Sequence, residues 1–392
     1  MHQRIFNQRR SAEVKAVPAD NYESKEKQED VSVFKTIWYP SLVFFTFRIC
    51  NALLLKTFFN PDEFWQSLEP AHRIVFGYGY LTWEWAAGIR GYTHPLIFAA
   101  LYWLLRLANL DTAFTTSVGP RVLQALFAGA CDTYVYLLSR DCHGPRIARF
   151  TAICQLASWF NFYCLCRTYS NSLEAALISA AVYHLRIHLR GREATRRDQM
   201  LGLAAAAMSV VVRPASAAFW LVAGFYQLLS IEWRPALKLA TDAVWIVGVV
   251  VVLSVAVDCL FYGRFVFVYW EFLKFNLLRG GSAVYGSHPW HWNLSQGLPT
   301  LLTSFTPLIF SGRDSGTRKL AWLVLIYIFF MSLPAHKEFR FLLPALQLLM
   351  PICGSGLYSL QKTKGRNVYW KRLVALVCLA LQLPTAIYFS LV

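Results

Sequence analysis

The sequence predicts an all-α polytopic membrane protein, and three observations carry that prediction. The first is composition. Of 392 residues, 56% are hydrophobic and 15% charged, against about 45–50% apolar and ~25% charged in an ordinary soluble domain. The second is length. Apolar runs of roughly 17–25 residues recur, long enough for a helix to cross a bilayer, without the alternation of a membrane β-barrel. The third is the placement of charge. The formal net charge is +16, which by itself suggests nucleic acid. Lys and Arg, however, concentrate in short loops between apolar runs, as in cytoplasmic loops. That distribution speaks against nucleic-acid binding.

In chain order, residues 1–36 are polar, with mixed charge in Glu23-Ser24-Lys25-Glu26-Lys27-Gln28-Glu29-Asp30. They are expected to form a disordered tail, and 37–392 a multi-spanning domain. The run 37–59 reads as a signal-anchor. Lys25, Lys27 and Lys35 precede it, so the tail is expected in the cytoplasm. Residues 60–94 then form a far-side loop rich in Trp and Tyr, suited to the interface, and 62–76 has the apolar face of an interfacial helix. Basic loops around Arg140, Arg146 and Arg149, around Arg190, Arg192, Arg196 and Arg197, at Arg234 and Lys238, at Arg313, Arg318 and Lys319, and around Lys362, Lys364, Arg366, Lys371 and Arg372 are all assigned to the cytoplasm. The segments 167–172, 213–216, 261–297 and 335–341 then fall on the far side. Runs 95–108 and 117–138 give the wrong parity as two full crossings. Either one is incomplete or the loop at 140–149 is misassigned. Arg213-Pro214 interrupts run 201–230, which reads as two half-length helices.

Nine cysteines are an odd count. Cys131, Cys154, Cys259, Cys353 and Cys378 lie inside apolar runs and read as small buried hydrophobes. Cys164 and Cys166 have no second cluster to complete a zinc site.

Chemistry is sought in polar groups that the apolar pattern does not explain. Asp62 and Glu63 follow directly on an apolar run, where acids are costly and usually functional. The bland alternative is two solvated loop carboxylates. Glu174 lies a turn inside the membrane, which favours a partner such as Arg167. Ser170 or Asn171 is a candidate cap for the helix that follows. Arg213 reads either as a structural pair for a carboxylate or as an anion contact. His288, Trp290, His291 and Trp292 alternate around Pro289, a surface suited to a sugar ring, although an aromatic belt is the alternative. Asn293-Leu294-Ser295 is a formal glycosylation sequon close to a span. His336-Lys337-Glu338-Phe339-Arg340-Phe341 sets ionisable groups between two apolar runs. Its His336, Lys337 and Arg340 read as a clamp for a phosphate. All these clusters face one compartment, as in an enzyme with a lipid phosphate as leaving group. A transporter or scramblase predicts internal repeats, and the chain has none.

Asn60-Pro61-Asp62-Glu63 and His336-Lys337-Glu338-Phe339-Arg340-Phe341 resemble the two signature motifs of glycosyltransferase family 22. Further marks are Tyr78-Gly79-Tyr80-Leu81-Thr82-Trp83-Glu84-Trp85, Phe272-Leu273-Lys274-Phe275-Asn276 and the run from Tyr285 to Gln296. The resemblance extends from about Phe59 to the last residue. It implies the GT-C glycosyltransferase fold with a luminal active site. It also implies an endoplasmic reticulum membrane location and dolichyl-phosphate mannose as donor. Within the family it points to members that add the third mannose, α-1,2-linked and with inversion, to the glycosylphosphatidylinositol-anchor glycolipid precursor. A luminal mannosyltransferase of the N-glycan precursor is the alternative, and a non-catalytic shortened homologue a third. By the resemblance, Asp62 is the catalytic base, with Glu63 as reserve or substrate contact. His336, Lys337 and Arg340 hold the donor phosphate by the same resemblance, and Arg213, read from its own chemistry as an anion contact, is expected to join them. Trp83, Glu84, His288, Trp290 and His291 are expected to contact sugar or acceptor. No metal or other cofactor is expected. The first motif has Asn60 where several relatives have His or Val. The family typically continues with a luminal domain beyond the point reached by Val392, so a shortened chain is expected.

Overall fold

The computed structural model describes residues 19–187, 194–312, 315–362 and 368–392, with side chains from Ile37 onward except at Ser315. Residues 1–18 of the expected tail, and the basic-loop residues Arg190, Arg192, Arg313, Lys364 and Arg366, lie outside the described residues. All regular structure among the described residues is helical. Five helical segments are long and apolar enough to cross a membrane: Ile37–Leu54, Ala113–His143, Trp233–Tyr262, Phe339–Lys362 and Val368–Leu391. The chain divides into residues 1–43 and 44–392. The helix Ala19–Leu54 begins inside the stretch expected to be disordered. Glu, Lys and Gln are good helix formers, so the apolar run is extended on its N-terminal side.

The larger unit is built around the helix Leu343–Lys362, which is buried from Leu343 to Leu357. Pro145–Ala157, Ser170–His184, Thr306–Ser311 and Ser315–Ser332 pack on it. Small residues permit this closeness. A Cβ on Gly356 would lie 2.0 Å from Leu308 O, and one on Gly354 2.6 Å from the Thr151 backbone nitrogen. Such small-residue contacts are how helices approach in a membrane. Beside the site, Arg196–Val212 ends at Arg213 and Ser216–Leu229 begins after Pro214. The proline ring disfavours helical geometry in the residue before it, and Arg213 is extended (φ −146°, ψ 100°). The two half-length helices follow.

Of the two runs behind the parity problem, Thr93–Leu107 is the shorter. At 15 residues it is about 22 Å long, short of the ~30 Å hydrocarbon core. It packs on Glu69–Phe76 with Leu68, Ala71, Phe98, Ala99 and Tyr102 in a small cluster separate from the main core. The 31-residue Ala113–His143 has the length to cross.

A polar network in the main bundle was not singled out by sequence reasoning. Arg48 grips Asp132 through Nε (2.6 Å) and Nη2 (3.0 Å). Gln155 Nε2 donates to Asp132 at 2.8 Å, and Gln347 Nε2 donates to Asn161 at 2.8 Å. All five residues are buried. The nine cysteines are free, and six of them, including Cys164 and Cys166, are buried as small hydrophobes.

Candidate active site

The first site element grows out of Asn60-Pro61. Pro61 tolerates the first turn of a helix, where its missing N–H costs nothing, and its carbonyl accepts from Phe64 N (3.0 Å) and Trp65 N (3.1 Å). A π-turn over Phe64–Leu68 carries the segment into Glu69–Phe76. Asp62 and Glu63 thus sit on consecutive helical positions, about 100° apart around the axis, and meet different surroundings. The Asp62 side chain is 31% exposed and pairs with Arg340 Nη2. Glu63 is 3% exposed and pairs with Arg167 Nη1 at 2.9 Å. The sequence shows no base beside either acid, but the fold supplies one to each.

The second site element is the row from His336 to Phe341. Arg340 is nearly fully buried and presents its fork to Glu338. Nε reaches Oε2 and Nη2 reaches Oε1, each at 2.7 Å. Glu338 also accepts from Asn60 Nδ2 at 3.0 Å and from His336 Nε2 at 2.9 Å. Burial pushes the Glu338 carboxyl up, but the His336 hydrogen bond and the Arg340 charge outweigh it and bring it down to about 2. Asn60 Oδ1 accepts from Tyr169 OH at 2.9 Å, and the Arg340 guanidinium stands over the Tyr169 ring at 5.0 Å. The two motifs are therefore joined directly, through Asp62–Arg340 and Asn60–Glu338. Lys337 is buried and donates to Pro334 O (2.8 Å) and His288 O (3.1 Å). Burial lowers its pKa.

Arg213 approaches from the break between the half-helices. Its guanidinium lies over the Phe341 ring at 4.3 Å, and Arg340 lies over the same ring at 5.4 Å. Its Nε is 3.3 Å from Glu174 Oε2. Glu174 Oε1 accepts from Ser216 Oγ and from Tyr327 OH. The partner of Glu174 is thus Arg213, and the suggested partner Arg167 is taken by Glu63. Among the described residues, Arg213 Nε makes no hydrogen bond of good geometry despite this approach, and His336 Nδ1 is buried without a partner. Tyr169, rather than Ser170 or Asn171, is the cap residue of Ser170–His184.

The aromatic segments flank this centre. Trp83 stacks near Tyr285, with centroids 6.5 Å apart, and Tyr285 lies 5.7 Å from the His336 ring. Glu84 accepts from Tyr285 OH (3.1 Å) and receives the Arg90 fork. His288 stacks on Trp292 at 4.8 Å, and its backbone N–H donates to Ala335 O. Trp290 and His291 stand further out, exposed and edge-to-face with each other. Asn293 is 1% exposed and donates to Ser332 Oγ, so the sequon has no room for a glycan. Sequence reasoning did not foresee the roles of Arg167, Tyr169 and Arg90. Their signal was limited to position on the assigned far-side segments.

The helical bundle, with carboxylates and guanidiniums gathered at its loops, has the fold of the GT-C membrane glycosyltransferases. The architecture is shared with ArnT from Cupriavidus metallidurans bound to undecaprenyl phosphate. That match has a TM-score of 0.62 at 14% identity and covers 91% of this chain and 71% of that one. The chain belongs to the Alg9-like mannosyltransferase family, whose sequence profile matches residues 39–392. It is 42% identical over 349 residues to GPI alpha-1,2-mannosyltransferase 3 of Danio rerio, covering 88% of this chain and 63% of that protein. It is 39% identical to Mannosyltransferase APTG1 of Arabidopsis thaliana, with 88% and 66% covered. It is 37% identical to GPI alpha-1,2-mannosyltransferase 3 of Homo sapiens, with 83% and 58% covered. The chain thus spans about three-fifths to two-thirds of the length of these relatives.

Proposed function

We propose that this chain transfers the third, α-1,2-linked mannose from dolichyl-phosphate mannose to the glycosylphosphatidylinositol-anchor precursor. The reaction would take place at the luminal face of the endoplasmic reticulum membrane, with the N-terminus in the cytoplasm. The observation that carries the reading is the contact of Asp62 with Arg340, which brings both family motifs to one half-open carboxylate. The names of the similar proteins support the α-1,2 linkage and the acceptor. In the proposed step an acceptor hydroxyl oxygen bonds to the anomeric carbon as the bond to the phosphate oxygen breaks. The hydroxyl proton passes to Asp62, and dolichyl phosphate leaves with the bonding electrons. Attack opposite the leaving group inverts the anomeric centre.

The cations divide the phosphate work. Arg213, 14% exposed with its guanidinium over the Phe341 ring, meets the donor phosphate in this reading, and His336, 18% exposed, is the second contact. Arg340 and Lys337 lie behind them, Arg340 orienting Asp62 and Lys337 tying 288 to 334–337. Glu63 faces Arg167 and serves the site from behind rather than as the base. Trp83, Glu84, His288, Trp290 and His291 flank the centre as sugar and acceptor contacts. Transfer of labelled mannose from dolichyl-phosphate mannose in membranes tests the reading, together with complementation of cells lacking the enzyme. Asp62→Asn is expected to lose at least ~10²-fold in rate, the low end for removing a general base, at unchanged protein level. Transfer by Asp62→Asn at the wild-type rate overturns the assignment. A different accumulating glycolipid in the deficient cells overturns the acceptor.

A further inference from the structure

Arg167 is 1% exposed and cannot touch a substrate, yet its contacts surround the site carboxylate. Its Nε donates to Tyr163 O at 2.9 Å. Its Nη1 donates to Thr57 O (2.8 Å) and to Glu63 Oε2 (2.9 Å), and its Nη2 donates to Thr57 Oγ1 (2.9 Å). The guanidinium also stands over the Tyr163 ring at 4.5 Å. Thr57 lies three residues before Asn60 and Glu63 three residues after it, so one guanidinium grips the chain on both sides of Asn60-Pro61-Asp62. The neighbouring Thr168 Oγ1 donates to Glu63 O at 3.1 Å, and Ser67 Oγ donates to the same carbonyl at 2.6 Å. From the other side, Thr57 Oγ1 donates to Phe389 O at 2.5 Å and Lys56 N donates to Ser390 O at 3.0 Å. The helix Gln382–Leu391 is thereby tied to the same point.

We infer that Arg167 is a positioning residue that sets Asp62 by clamping Thr57 and Glu63, and that the helix Gln382–Leu391 braces this clamp through Thr57. The inference rests on the reading of Asp62 as the base. A planar fork can hold several acceptors in fixed directions, which an ammonium cannot. A buried charge pair is also intolerant of losing one partner, because the other is left uncompensated. Asp62 is one residue from the clamped carboxylate, so slack there moves the base.

The test uses the full chain in membranes. Arg167→Ala is expected to lower kcat by roughly 10²-fold, the cost of a ~1 Å misplacement, with KM for donor and acceptor near wild type. Glu63→Ala should behave alike, and the double variant should lose no more than either single one, because the pair acts as a unit. Arg167→Lys should recover part of the rate. Thr57→Val should lose less, in the same direction. A readout that does not depend on turnover is maleimide labelling of Asp62→Cys, mapped at that position. Labelling is expected to quicken when Arg167→Ala is added. If Arg167→Ala does not accumulate, Glu63→Gln and Thr57→Val carry the same two readouts. Multiplicative losses in the double variant, a change confined to KM, or unchanged labelling at position 62 overturn the inference. Asp62→Asn at the wild-type rate instead refutes the base assignment and leaves the labelling result standing.

Discussion

At the scale of single residues, the site is organised by Glu338, which orients three neighbours at once. Its carboxylate receives Arg340, His336 and Asn60, and Arg340 in turn reaches Asp62. Arg340→Lys keeps the charge, but a single ammonium cannot serve both Glu338 oxygens and Asp62 as the fork does. Transfer is expected to fall at least about tenfold, the equivalent of losing one charged hydrogen bond of ~1.5 kcal/mol, as read from labelled-mannose transfer. The pH dependence follows from the Glu338 carboxyl, which sits at about 2 when folded and near 4.3 when unfolded. A lowered carboxyl stabilises the fold fully above the unfolded value, and that contribution fades as pH falls from about 4.3 toward 2. Thermal melts in detergent from pH 7 to pH 3 should therefore steepen in the wild type below about pH 4.3. They should lose that component in Glu338→Gln, which starts from a lower melting point.

At the scale of elements, the sequence shows where helices break more clearly than where they touch. Arg213-Pro214 was legible because proline forces the preceding residue out of helical geometry whatever surrounds it. Thr93–Leu107 was ambiguous, since its apolarity alone does not separate a membrane crossing from a helix lying on Glu69–Phe76. Its packing on Glu69–Phe76 is a tertiary fact that apolarity does not encode. The closeness of Thr306–Ser311 to Leu343–Lys362 was likewise unreadable from a run containing Gly354-Ser355-Gly356. It yields a specific expectation. Gly356→Ala puts a Cβ 2.0 Å from Leu308 O, which is backbone and cannot swing away. The helix starting at Leu343 must then shift, and overpacking of this kind costs roughly 1–3 kcal/mol or more. That helix follows directly on Arg340, so Gly356→Ala should lower both the melting temperature in detergent and transfer. An alanine at Gly224, where nothing lies within 4 Å, should leave both unchanged.

At the scale of the whole molecule, polar residues grouped at the edges of apolar runs announced themselves, and solitary ones inside the runs did not. Asp62, Glu63 and the row from His336 to Arg340 belong to the first kind. Their meeting was inferred from a shared side of the membrane, but the pairings join positions far apart in sequence, as Arg340 with Asp62 and Arg167 with Glu63, which no local pattern encodes. Arg48 and Asp132 belong to the second kind. Each stands apart in a long apolar stretch, with the nearest charge in sequence at Lys56 and Arg140 respectively, and their fork pairing, extended by Gln155, Gln347 and Asn161, links Ala19–Leu54, Ala113–His143, Pro145–Ala157, Trp159–Cys164 and Leu343–Lys362. A buried pair of this kind is weak evidence for net stability, because desolvating both ions offsets their attraction. It is strong evidence for intolerance of losing one of them. Asp132→Asn leaves the Arg48 charge without its counter-ion and is expected to cost about 3–5 kcal/mol, read as lost folded protein after heating in detergent. Arg48→Met with Asp132→Leu removes both charges and should cost markedly less than Asp132→Asn alone. If the double variant is as unstable as the single one, the network's value lies in its hydrogen bonds to Gln155 and Asn161 rather than in charge balance. Thermal retention of Gln155→Leu then becomes the deciding measurement.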